Sequence, residues 1–243
     1  MATPTALLNE FTAFQSDMER RVAQELAQLY GAVVSPDLSV ATRRALLLEL
    51  LPGLVEEYGS VAASFGMWMF EEMTGEVPTV LVPSAAPAVA GSISALAGKP
   101  NALQRLISSM GRHVLGQARG AIHHNVGAHA NMAYARVPNY AGQRHGKGPC
   151  EFCVVLASRG PVYATTATAG ARGTGNEYHD ECYCVPMAMP AASAEYPRGR
   201  PEDWPKGYNP DKLYDEIYSP SHEYMDRIQD VTRKIREKDP SFW

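Results

Sequence analysis

Every cysteine of the 243-residue chain falls in two short stretches, 149-PCEFCVVLASRGPVY-163 and 178-YHDECYCVP-186. Cys150 and Cys153 form a C-x-x-C pair, and His179, Cys182 and Cys184 form H-x-x-C-x-C further on. Thiolate and imidazole are the donors zinc prefers, and a C-x-x-C turn lets two sulfurs reach one ion at about 2.3 Å. A tetrahedral structural site needs four ligands, and the two stretches offer five. The reading is a structural zinc on Cys150, Cys153, His179 and Cys182. Cys184 is the spare, because alternate residues of an extended segment point to opposite sides; Cys182 and Cys184 can trade places. A filled site of this kind contributes on the order of 10–16 kcal/mol to folding. The alternative is metal-free: reduced thiols packed as small hydrophobes, or a disulfide from Cys150 to Cys182 or Cys184 stapling the same segments.

Two catalytic readings fit less well. A thioredoxin-like C-x-x-C follows a strand, and GKGPC is a poor one. Zinc deaminases combine an upstream H-x-E with P-C-x-x-C. The sequence 149-PCEFC-153 matches the second half, but no H-x-E precedes it. No nucleophile elbow or convincing Ser-His-acid set is present, so the chain reads as a non-enzyme.

The elements that must position these residues are mainly helical. Leu7, Leu8, Phe11, Phe14, Met18, Val22, Leu26 and Leu29 recur at three- and four-residue steps, which predicts a helix from Thr5 to Tyr30 stopped by Gly31. Ser35 or Asp37 offers the next cap. A Leu-rich helix from Val40 to Leu51 is interrupted by Pro52-Gly53, because proline lacks an amide hydrogen and clashes with the preceding turn. Another helix runs from Leu54 to Met73 and ends near Gly75. The stretch VPTVLVPSAAPAVAG reads as an extended connector. A long helix follows from Asn101 to Tyr134, and from Arg136 to Pro190 the sequence becomes turn-rich. The Pro- and aromatic-rich arm 190-PAASAEYPRGRPEDWPKGYNP-210 is the clearest linker. Short helices are expected at Lys212–Tyr218 and Ser221–Lys238. Tyr196, Trp204, Tyr208, Tyr214, Tyr218, Tyr224, Phe242 and Trp243 equip the tail to dock on a partner or to fold back. The fold class is therefore mainly α with a small α+β zinc-stapled module. It divides into a helical region 1–135, a Cys/His module 136–190 and an extended C-terminal arm 191–243.

Charge is segregated. No Asp or Glu occurs from Val77 to Cys150, while Lys99, Arg105, Arg112, Arg119, Arg136, Arg144 and Lys147 do. Arg105, Arg112 and Arg119 recur every seven residues, so on a helix they drift only about 40° and form a basic stripe that His123 extends. The stripe suits phosphates of DNA, an acidic partner, or the acidic helices carrying Glu49 and Glu56. No apolar run is long enough for a transmembrane helix, and the start lacks a basic leader.

The run 136-RVPNYAGQRHGKGPCEFCVVLASRGPVY-163 followed by 178-YHDECYC-184 resembles the MuF-like minor head, or head-morphogenesis, family of tailed phages, in particular versions from phages of actinobacteria. Many relatives carry Pro-Asn and a basic residue where this chain has Asp180-Glu181 and Tyr183. The resemblance implies a virion component inside the head near the portal, present in several copies and assembled in the host cytoplasm. It implies the portal, the major capsid protein and packaged DNA as partners, and a role in head assembly, DNA packaging or genome delivery. The alternative in a different class is an enzyme carried in the virion, a capsid maturation protease or a toxin-like transferase.

Overall fold

A computed structural model describes residues 2–35, 37–82, 84–138, 151–164, 182 and 184–218. Four helices come first: α1 (Pro4–Val33), α2 (Val40–Thr74), α3 (Ala86–Leu96) and α4 (Ala102–Ala128). Strand β1 (Met132–Val137), the short helix α5 (Glu151–Ala157) and strand β2 (Val185–Pro190) follow. The fold is mostly helical with a small two-stranded sheet, and among the described residues no helix is long and apolar enough to cross a membrane.

Helix α1 begins where Thr3 Oγ1 accepts from the Ala6 amide at 3.2 Å and Pro4 sits in the first turn. Proline is preorganised there because its missing N–H is one the helix could not use. Its apolar stripe is Leu7, Phe11, Met18, Val22 and Leu26, all buried. Gly31 does not stop it; the helix continues to Val33. Ser39, rather than Ser35 or Asp37, caps α2, accepting from the Thr42 amide at 3.1 Å.

Three expectations are corrected. Pro52 lies inside one continuous helix, α2. The lost hydrogen bond and clash cost about 3 kcal/mol, but Leu47, Leu51, Leu54 and Val55 are all buried on either side of it, and that burial outweighs the local penalty. The expected connector is extended only in its first part. From Ala86 it becomes α3, with a proline in the first turn, the one helical position proline favours. The long helix ends at Ala128, and Tyr134 belongs to β1. That strand pairs antiparallel with β2 in the register Met132↔Pro190, Tyr134↔Ala188 and Arg136↔Pro186, so each residue's partner lies far along the chain.

Helix α4 is the central post. From Ser109 to Val126 most of its residues are buried, packed by α1, α2 and α3 and by both strands. Among the described residues the main hydrophobic core runs from Leu7 to Tyr208, with Cys153, Cys182 and Cys184 as a separate buried group. The start of the connector is strapped to α4 by the fully buried Asn125. Its Oδ1 accepts from the Thr79 and Val80 amides at 2.7 and 2.9 Å, and its Nδ2 donates to the Val80 carbonyl at 3.1 Å.

The arm folds back on its own chain. The Ala192 amide donates to Pro161 O at 3.0 Å, Lys206 N to Thr5 Oγ1 at 2.7 Å, and the buried Tyr208 hydroxyl to Ala157 O at 2.7 Å. The expected helix at 212–218 is a turn, Pro210–Leu213, followed by a wider π-type turn, Tyr214–Tyr218. The expected helix at 221–238 lies outside the described residues.

Candidate metal centre

Cys153 sits on α5, not in a tight turn. Val154, Val155, Leu156 and Ala157 of that helix are each fully buried, as expected of a helix apolar all round. Cys182 and Cys184 lie just ahead of β2. The three thiols meet. Their sulfurs lie within 4.8 Å of one another, and Cys153 Sγ is 3.6 Å from Cys182 Sγ. All three are free thiols, exposed by only 2, 3 and 2% respectively. Cys184, set aside by the alternation argument, stands in the group. That argument assumes a regular extended strand, and β2 begins only at Val185. Cys150 and His179 lie outside the described residues. In sequence Cys150 directly precedes α5 and His179 is three residues before Cys182.

Three residues from the helical half and β1 converge on Cys182. Gln15 Nε2 of α1 donates to its carbonyl at 3.2 Å. Arg119 Nη2 of α4 donates to the same carbonyl. Arg136 Nη2 of β1 points at its sulfur at 3.6 Å. Gln15, Arg119 and Arg136 are exposed by 1, 2 and 0%. Hydrogen bonds from Cys153 and Cys184, with the charges of Arg119 and Arg136, hold the Cys182 thiol well below the usual range. Burial pushes the Cys184 thiol well above it.

The basic stripe therefore divides. Arg105 is exposed and Arg112 half-buried, but Arg119 and His123 are buried. Two of the four stripe residues thus turn inward rather than toward DNA or an acidic partner. His123 stacks on Tyr134, ring centroids 4.1 Å apart and planes at 12°. Burial, then Arg136 and Arg119, hold its pKa well below 6.5, so the ring is neutral. Sequence reasoning missed Gln15 altogether. The signal was available: an amide between Phe11 and Met18 on an otherwise apolar stripe is a buried polar group that needs a partner.

The donor set fits a thiophilic cation. Three buried sulfurs in one group are compatible with a metal site. Cys150 and His179 are the sequence candidates to complete it. Away from the cysteines, an open groove of about 320 Å³ lies between Val55–Met67 of α2 and Leu81–Ala86. One further pair of chemical interest lies apart from the thiols, Ser92 Oγ and His113 Nε2 at 2.8 Å, joining α3 to α4.

No curated protein and no solved structure matches the chain. The family model described as VG15 protein matches residues 1–219, which include helices α1 to α5, the cysteine cluster and the folded-back arm. The chain thus belongs to the VG15 protein family, a phage-associated family.

Proposed function

We propose that the protein is a non-enzymatic minor head protein of a tailed phage, lying inside the head near the portal and aiding head assembly, DNA packaging or genome delivery. Its partners are the portal or major capsid protein, with packaged DNA as a further contact. The phage-associated family supports this reading, as does the resemblance of the C-x-x-C and H-x-x-C-x-C run to MuF-like proteins.

Within that role the cysteines hold a structural zinc. The observation that carries this is the meeting of three buried sulfurs from two chain segments within 4.8 Å. Cys153, Cys182 and Cys184 supply three ligands, and Cys150 or His179 the fourth. The ion supplies a crosslink between α5 and the approach to β2. Burial of every described thiol favours architecture over catalysis, because a catalytic zinc keeps a position open to water.

The test is metal and protein analysis of purified virions. Zinc near one equivalent per copy, with the protein in mature particles, supports the reading; absence from finished particles defeats it. The enzyme alternative has the Ser92–His113 contact on its side. Serine-directed fluorophosphonate labelling that Ser92→Ala abolishes would favour it.

A further inference from the structure

Cys182 is gripped from both ends. Two donors hold its carbonyl and a third faces its sulfur, and they come from three elements: Gln15 on α1, Arg119 on α4 and Arg136 on β1. In sequence they lie 167, 63 and 46 residues away. We propose that these three are positioning residues of the metal centre, and that Cys182 is its pivot ligand. This rests on the metal reading above.

The division of labour follows from the contacts. Gln15 and Arg119 fix the backbone of Cys182, so the Cα–Cβ bond is aimed before any ion arrives. Orienting a ligand in advance removes the ordering cost from the binding step. Arg136 acts on the sulfur itself. An N–H directed at a thiolate withdraws electron density from it and stabilises its anionic form, which tunes the metal–sulfur bond. Arg136 reaches that sulfur because it lies on β1, opposite Pro186 of β2, and β2 starts directly after Cys184. The strand pairing therefore sets the distance between the guanidinium and the thiol. Outer partners of metal ligands are typically worth ten- to hundredfold in affinity.

The consequence is that the helical half does not merely carry the cysteine module. It completes it, since two of the three donors to Cys182 belong to α1 and α4.

The experiment uses the full chain, with zinc affinity measured by competition against a chromophoric chelator and with cobalt(II) as the spectroscopic probe. Arg136→Met is expected to weaken zinc ten- to hundredfold and to displace the sulfur-to-cobalt charge-transfer band of the fully loaded protein. Gln15→Leu and Arg119→Met are expected to weaken zinc about tenfold with the band unmoved, because they act on the carbonyl. Ser92→Ala, which breaks a contact away from the centre, serves as the comparator and should leave affinity unchanged. A merely structural role for Arg136 would lower stability without moving the band.

If the wild type binds one metal and the three variants match it in affinity and spectrum, the proposal is overturned while the metal reading stands. If the wild type binds neither zinc nor cobalt, both fall. Should Arg136→Met fail to fold, the other two variants decide: unchanged affinity in both overturns the proposal.

Discussion

A Cβ placed on Gly66 would stand 2.2 Å from the carbonyl oxygen of Ala118. The backbones of α2 and α4 touch at this point, and that contact sets the spacing of the two most extensively packed helices. Gly66→Ala is expected to destabilise the fold by about 2 kcal/mol or more, despite the intrinsic helix preference for alanine. Chemical denaturation gives the number. A neutral or stabilising result would mean the helices do not meet here.

Asn125 is the second mechanical test. Asn125→Ala strips the acceptor from two backbone amides, Thr79 and Val80, and the donor from the Val80 carbonyl. The expected cost is about 2–3 kcal/mol, since groups left unpaired in a partly buried site carry a desolvation penalty. Residues 77–82 should also become cleavable by a non-specific protease under native conditions. Unchanged cleavage would show that the strap is held by something else.

The neutral His123 makes stability depend on pH. Its folded pKa lies well below 6.5, through burial first and then the charges of Arg136 and Arg119, while in the unfolded chain it titrates near 6.5. The folded state therefore binds fewer protons. The contribution is whole above about pH 6.5 and is lost as pH falls below it, at up to about 1.4 kcal/mol per pH unit. His123→Phe keeps a ring for Tyr134 to stack on and removes the titration. Denaturation midpoints from pH 7.5 to 5 should fall less steeply for the variant, and parallel curves would refute a buried neutral imidazole.

Removal of the metal is the fourth test. Protein purified under reducing conditions should carry about one zinc, and Cys153→Ser or Cys182→Ser should carry little. Chelation should lower Tm by about 10 °C or more, given about 2–4 °C per kcal/mol for a chain of this size and the energies typical of structural zinc. A chelator without effect on Tm would leave the thiols as ordinary core residues.

Legibility in the sequence tracked the range of the interactions. Helix α1 was readable because Leu7, Phe11, Met18, Val22 and Leu26 obey a local period. The end of α2 was readable because Gly75 adopts φ 73°, a conformation glycine tolerates best. Pro52 misled because its cost is local, whereas the burial of Leu51 and Leu54 that overrides it is tertiary. Strand β1 was hidden because its register with β2 is set by residues far along the chain. The clustering of thiols was legible from C-x-x-C and H-x-x-C-x-C. Their partners were not, because a heptad stripe of arginines carries no mark of which member turns inward. Arg119 does so because its guanidinium finds the Cys182 carbonyl.

The contact between Lys206 and Thr5 bears on how the polypeptide is made. The first helix leaves the ribosome long before the residues that close over it. At roughly 5–20 residues per second, translation of the intervening ~200 residues takes on the order of 10–40 s. The apolar stripe of that helix finds its cover on α2 and α4 well before then, so what waits for the end of synthesis is the arm's latch on its amino end.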